Sequence, residues 1–220
     1  MNAVGWLKND KVRHVQKTLR YALYVITHPL DGFWDLTHEK RGSVAAANII
    51  IVLTFLTRIW KLRFTSFLFM EVNWETVNIF KEIMAIVLPL YIGVLANWSL
   101  TTLFDGKGNM RDIYMAVGYS LTPYVLIQIP MIIASNFITV EEGAFYYYIG
   151  TFSVLWCAVL IISAVMMIHD FSFSKTLAVL IATAVGMLVI VFLMLLFFSL
   201  ISDGIAYFVS LYQEAVFRFY

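Results

Sequence analysis

Four long stretches without a charged side chain restrict the folds that are open to this chain. They cover residues 83–104, 113–140, 143–168 and 176–201. About 20 apolar residues in a helix cross a hydrocarbon core about 30 Å thick. Of the 220 residues, 61% are hydrophobic and 13% are charged, whereas a soluble domain has about 25% charged residues. We therefore expect an all-α integral membrane protein, and an ordinary water-soluble enzyme is excluded.

A fifth candidate span, residues 42–57, is shorter because Arg58 interrupts it and Lys61 and Arg63 follow. It crosses the membrane if Arg58 extends its side chain to the headgroups. The alternative is a half-buried helix, which leaves four spans. We favour crossing, since the bilayer can thin around such a segment.

Amphipathic segments are predicted at both ends, over residues 1–41 and 202–220, around a five-helix transmembrane domain over residues 42–201. Between residues 12 and 26 apolar side chains recur every three or four positions, which predicts a helix with one apolar face. The basic residues expected at the anionic membrane surface are Lys11, Arg13, Lys17 and Arg20. The alternative is a helix that docks a cytosolic partner. A break at Asp203-Gly204 is predicted to start the C-terminal amphipathic segment.

The distribution of Lys and Arg predicts the orientation, because cytoplasmic loops are enriched in basic residues. With the N-terminus inside, the basic N-terminal segment, Lys107, Arg111 and Lys175 all lie on the inner side. We therefore expect a multi-pass protein of the inner (cytoplasmic) cell membrane, with a cytoplasmic N-terminus and an external C-terminus.

The third span is the most irregular, and a kink motif of Gly118, Tyr119, Pro123 and Pro130 is predicted to shape it. Each proline leaves the carbonyl four residues earlier without its helical donor. Such a carbonyl in hydrocarbon needs another donor, so we expect donors on neighbouring helices. The candidate intramembrane polar residues are Asn97, Gln128 and Asn136. A substrate pathway uses similar features, but we favour helix packing.

In the fifth span, Ala178, Ala182 and Gly186 are small residues at four-residue spacing. Such a face permits close approach of another helix. It either packs within the chain or receives another subunit, and it is the candidate partner-facing surface. On the second interpretation, Gly186→Leu weakens partner binding and leaves the fold intact.

Ionisable side chains are densest at residues 28–39, where Asp35 and His38 share a helix face and could ligate a metal. No closed ligand set accompanies them. We favour a short interfacial helix that begins at Pro29 and is anchored by Phe33 and Trp34.

Other chemical motifs are weak. Residues 105–108 predict a turn and lack the spacing of a phosphate-binding loop. Cys157 has no partner for a disulfide. The long spans hold no nucleophile and base pair, so we expect no catalytic residue, no cofactor, no metal and no enzyme. A net charge of +1 argues against nucleic-acid binding.

The sequence at residues 118–123, Gly-Tyr-Ser-Leu-Thr-Pro in the third of five spans, resembles the Yip (Ypt- and Rab-interacting) domain family. The stretches that look like its bacterial branch are residues 28–36, 96–103 and 105–108. The resemblance implies a multi-spanning scaffold without known enzymatic activity. Eukaryotic members are implicated in Rab-linked membrane traffic and carry an Asp-Leu-Tyr-Gly-Pro motif, which this chain lacks. Bacterial relatives are often encoded beside carbohydrate ABC transporters, which implies an accessory membrane subunit.

The expected function is therefore that of an accessory or scaffold subunit. It sits in the lipid bilayer and binds other integral membrane proteins, with the spanning subunits of a sugar ABC importer as the leading candidates and self-association left open. One alternative is a small permease or channel that uses the kinked third span. Another is a membrane-shaping or trafficking factor that acts through its amphipathic ends.

Overall fold

The computed structural model describes the backbone of residues 3–69 and 77–219 and the side chains of residues 12–69 and 77–218. Within that part of the chain the backbone forms eight α-helices and no strand, which confirms the all-α prediction. In chain order the helices are α1 (Ala3–Thr27), α2 (Pro29–His38), α3 (Val44–Phe64), α4 (Ile79–Leu103), α5 (Met110–Ser120), α6 (Thr122–Ala134), α7 (Gly143–His169) and α8 (Phe173–Phe219).

Five stretches of the described chain are long and apolar enough to cross a membrane: α3, α4, α5 with α6, α7, and α8. Their number and order match the predicted spans. The first continues through Arg58 to Phe64, so it is longer than predicted. The Arg58 side chain forms an ion pair with Glu82 of α4, at 2.5 Å between Nε and Oε2. A carboxylate in the first turn of α4 therefore balances this charge, and extension of Arg58 to the headgroups stays a prediction.

The N-terminal helices pack against the rest of the bundle. Thr18, Ala22 and Val25 of α1 are buried, and α2 begins with Pro29 in its first turn, as predicted. One prediction for α2 is wrong: Phe33 was expected to anchor this helix in the membrane. It is fully buried in the core, because α1, α5 and α7 cover this side of α2.

The buried face of α1 is rotated from the predicted apolar face, since Val12 and Leu23 are about half exposed. Arg13, Lys17 and Arg20 are exposed, as expected for a basic outer face. The side chain of Lys11 lies outside the described residues. One face of α1 thus packs on the protein core and its basic face is exposed, and contact of that face with a membrane surface stays a prediction.

The last helix differs most from expectation. The predicted break at Asp203-Gly204 is absent, because α8 continues through both residues to Phe219. Glycine costs about 1 kcal/mol in a helix interior, and apolar helix-forming residues on both sides outweigh that cost. With 47 residues at about 1.5 Å each, α8 is about 70 Å long.

Candidate functional site

The predicted kink is the junction between α5 and α6, and its residues contact two other parts of the fold, α1 and the start of α3. Tyr119 is fully buried, and its hydroxyl donates to the carbonyl of Thr18 in α1 at 3.2 Å. The same oxygen accepts from the backbone N–H of Ser43 at 3.3 Å. Gly118 lies against α3, where a Cβ would come within 2.8 Å of the Cβ of Ala47. The motif therefore fixes α1, α3 and α5 together.

Pro123 lies in the first turn of α6 and frees the carbonyl of Tyr119, as predicted. That carbonyl accepts a hydrogen bond of 2.6 Å from the hydroxyl of Thr122. The donor is therefore in the same turn, whereas a neighbouring helix was expected to supply it. Pro130 lies inside α6.

Asn97 and Thr183 join α4 to α8 inside the bundle. Both side chains are buried, and the Nδ2 of Asn97 donates to the Oγ1 of Thr183 at 3.1 Å. The Oδ1 of Asn97 is buried and makes no hydrogen bond with the described residues. Asn97 thus donates a hydrogen bond from α4 to α8, and its role inside the membrane stays a prediction.

Gln128 is the centre of a second polar cluster. Its Nε2 donates to the Oγ of Ser153 at 2.8 Å and to the carbonyl of Gly150 at 3.3 Å. Its Oε1 accepts from the Nζ of Lys61 at 3.2 Å. The cluster therefore joins α3, α6 and α7, and sequence reasoning had not placed Lys61 in it.

Asn136 lies beyond the end of α6 and is exposed. Its Nδ2 donates to the carbonyl of Phe64, the last residue of α3, at 3.0 Å. It therefore satisfies a helix end, and it does not bridge two helices in the interior of the bundle.

Two adjoining cavities lie within the bundle. The larger has a volume of about 500 Å³ and is lined mainly by apolar side chains of α4, α5, α7 and α8. The smaller, of about 400 Å³, is lined by Lys61, Gln128 and aromatic residues at the end of the bundle where α3 ends. Arg58, Tyr124 and Val154 line both. Sequence reasoning missed these cavities, because no local pattern shows where separate helices leave a gap.

The predicted turn at residues 105–108 is confirmed, and it packs against the end of α7. The Nζ of Lys107 pairs with the carboxylate of Asp170 at 2.8 Å, and the N–H of Gly108 donates to the Nδ1 of His169 at 3.2 Å. The hydrogen bond from Lys107 lowers the pKa of Asp170 below its ordinary value. Sequence reasoning did not connect this turn to His169, which is buried. Gly106 and Gly108 were the available signal of a close contact, because a Cβ at either position would lie 2.7 Å from the ring of His169.

Asp35 and His38, considered above as metal ligands, have other partners. Asp35 forms an ion pair with Arg41 at 3.2 Å, and the ring of His38 stacks on that of Trp34. Among the described residues, no group of three or more His, Cys, Asp or Glu side chains is placed to hold a metal ion.

The small residues of α8 do not share one environment. Ala178 is exposed and Ala182 is half-buried. Gly186 packs on α4, where a Cβ would lie 3.1 Å from the Cδ1 of Leu100. Gly186 therefore packs within the chain, and whether these three residues face a partner stays a prediction. Gly186→Leu would disturb the chain's own packing, so it is not a clean test of partner binding.

Comparison with known proteins agrees with this architecture. The family model of the Yip1 domain matches residues 23–210, from the end of α1 to well into α8. No curated protein and no solved structure matches the chain. The likeness to the bacterial branch stays a prediction. A match over most of the chain, on a bundle with five apolar helices in the expected order, shows that this protein belongs to the Yip1 domain family.

Proposed function

We propose that this multi-pass protein is a non-enzymatic accessory subunit that binds other integral membrane proteins through α8. The observation that carries the proposal is the exposure of this helix. No residue from Ala184 to Arg218 is buried by the rest of the described chain. Large apolar side chains such as Leu200, Phe208 and Phe217 are more than two-thirds exposed.

Because of its length, α8 cannot lie entirely within the hydrocarbon core, so lipid covers only part of it. A helix of about 70 Å is more than twice as long as the hydrocarbon core, which is about 30 Å thick. Lipid therefore covers about 20 residues, and the C-terminal part extends past the core. That part still presents Ile205, Phe208 and Tyr212 on one side. Contiguous apolar surface of this kind marks an interaction site.

The proposed partners are the spanning subunits of a carbohydrate ABC importer. Support comes from the likeness to bacterial Yip-domain proteins, which are often encoded beside such importers, and this support is an association only. The proposed location is the cytoplasmic membrane, with the N-terminus inside and the exposed end of α8 outside. Basic residues at the N-terminal end of the chain favour this orientation.

Affinity capture from gently solubilised native membranes tests the proposal. The wild-type chain is expected to recover importer subunits in near-stoichiometric amounts. Phe208→Asp combined with Tyr212→Asp removes apolar surface beyond the lipid-covered region, so recovery of the importer should fall at least tenfold. Gln213→Asp introduces one negative charge on another side of α8 and should leave recovery unchanged, whereas Phe208→Asp alone, which adds the same single charge, should already reduce it. Recovery of the chain alone, or equal recovery by all variants, would show that the proposal is wrong.

The larger cavity favours a second candidate function, that of a small permease. Leu121 and Tyr124 of the kinked third span line this cavity. Purified protein in proteoliposomes should then transport a solute by itself, whereas an accessory subunit should transport nothing. The same vesicles test membrane shaping by the two ends of the chain, since a shaping factor changes vesicle size and curvature in electron micrographs.

A further inference from the structure

We propose that the two adjoining cavities form one binding site for an anionic phospholipid. One acyl chain occupies the larger, apolar cavity, and the phosphate lies in the smaller cavity beside Lys61 and Arg58. This inference does not depend on the accessory function, because the residues of α8 that line the cavity lie between Leu180 and Met187, about six turns before the surface at Phe208 and Tyr212 that is proposed to face a partner.

The larger cavity has the dimensions and chemistry of an acyl-chain site. On α7 its lining runs from Val154 to Val165, a distance of about 16 Å along the helix axis. One leaflet is half of a hydrocarbon core of about 30 Å, so the cavity is about one leaflet deep. Its volume of about 500 Å³ lies within the usual range for ligand sites. Because the lining is mainly apolar, a chain of methylene groups is a better match than a sugar or a nucleotide.

Within the described part of the chain, Lys61 in the smaller cavity is a cation that forms no ion pair. The side chain of Lys61 is half-buried, donates to the neutral Oε1 of Gln128, and lies 5.9 Å from the centre of the Tyr146 ring. No carboxylate of the described residues forms an ion pair with it. Withdrawing an ammonium group from water is costly unless an opposite charge accompanies it. A phosphate group supplies that charge.

The charged side chains that line the two cavities, Arg58 and Lys61, favour one phosphodiester. Arg58 lines both cavities and uses its Nε to bind Glu82. A guanidinium group has five N–H donors, so others remain for a second anion. Arg58, Lys61 and Glu82 together carry a net charge of +1, and a phosphodiester carries −1. A zwitterionic headgroup would add a cation beside Lys61 and is therefore a weaker ligand.

Native mass spectrometry of the full chain in detergent tests the headgroup part of the site. Phosphatidylglycerol and phosphatidylcholine with the same acyl chains are titrated separately. The wild type is expected to bind phosphatidylglycerol more tightly, and Lys61→Gln should weaken that binding about tenfold, the factor that one charge-assisted hydrogen bond supplies. Lys61→Arg should retain it. Lys81→Gln is the matched control, because Lys81 is exposed near the start of α4 and does not line either cavity.

A second pair of variants tests the chain part of the site. Ala184→Phe adds a ring where Ala184 lines the larger cavity, and it should reduce lipid binding at least tenfold. Val185→Phe is the control, since Val185 is exposed and does not line the cavity. Leu180→Phe, also in the lining, replaces Ala184→Phe if that variant melts earlier than the wild type.

Competition with inorganic phosphate distinguishes a lipid site from a site for a free anion. Excess inorganic phosphate should displace less than one-tenth of the bound phosphatidylglycerol, because it lacks the acyl chain. Complete displacement would overturn the proposal in favour of a free-phosphate site. Equal affinity for the two lipids, or unchanged binding by both Lys61→Gln and the variants that fill the cavity, would also overturn it.

Discussion

The hydroxyl of Tyr119 is expected to hold α1 against the membrane-spanning helices. Tyr119→Phe removes this oxygen and leaves the buried ring in place, so the change in apolar burial is small. The oxygen makes two hydrogen bonds, to the carbonyl of Thr18 at 3.2 Å and from the N–H of Ser43 at 3.3 Å. Each contributes about 0.5–1.5 kcal/mol, which gives a loss of about 2 kcal/mol. For a chain of this size, that loss lowers the melting temperature by about 4–8 °C.

Two assays together check this expectation. Circular dichroism in detergent gives the melting temperature, and limited trypsin digestion reports the attachment of α1. Trypsin should cleave after Arg20 faster in Tyr119→Phe than in the wild type, because Arg20 is exposed and local opening of α1 admits the protease. Tyr148→Phe is the control, since its side chain is largely exposed. Unchanged melting and unchanged cleavage in Tyr119→Phe would refute the proposed role of the hydroxyl.

Three further predictions concern helix packing and one ion pair. Gly118→Ala places a methyl group against α3 and should destabilise the protein by about 1–3 kcal/mol, measured by thermal melting. In a double-mutant cycle, Asn97→Leu and Thr183→Val should show a coupling of about 0.6 kcal/mol, the average for hydrogen bonds within membranes. The ion pair between Lys107 and Asp170 lowers the pKa of Asp170, so its stabilisation is present above the ordinary pKa of 3.8 and is lost as the pH falls through the folded-state pKa. Because both groups are exposed, Asp170→Asn should lower stability by only about 0.5 kcal/mol at pH 6 and by nothing at low pH.

Each of these predictions has a control or an outcome that contradicts it. Gly204→Ala adds the same methyl group where no atom lies within 4 Å, so it should be neutral or stabilising. Equal melting of the two glycine variants would contradict the close packing of Gly118. Additive effects in the cycle would show that Asn97 and Thr183 do not interact. A pH-independent effect of Asp170→Asn would assign its role to packing.

Composition and periodicity predicted the span number and the start of α2, because these depend on local physics. An uncharged run of more than 20 residues needs a hydrocarbon environment wherever the rest of the chain lies. Pro29 likewise marks a first helical turn through its fixed backbone angle. The same local reasoning failed at Gly204, where the helix formers around one glycine outweigh its cost and α8 continues.

The candidate site was only partly predictable. Asn97 and Gln128 were recognisable as polar groups that need partners within the membrane, but their partners Thr183, Ser153 and Lys61 lie far away in the sequence. A pattern along one helix records which residues share a face, and it contains no information about the facing helix. The cavities and the association of Arg58 and Lys61 with them are therefore properties of the packed bundle.

By itself, the sequence determined that this chain is an all-α membrane protein with five spans and a bend in the third, since the hydrophobic effect and proline geometry act locally. The tertiary structure decided which polar groups satisfy one another and where space remains between helices. Tyr119 shows the difference: the sequence places it in the third span, but its burial and its contact with Thr18 exist only because α1 packs against α5. Long-range contacts of this kind depend on the relative positions of complete helices, which are set by the packing of all their side chains together.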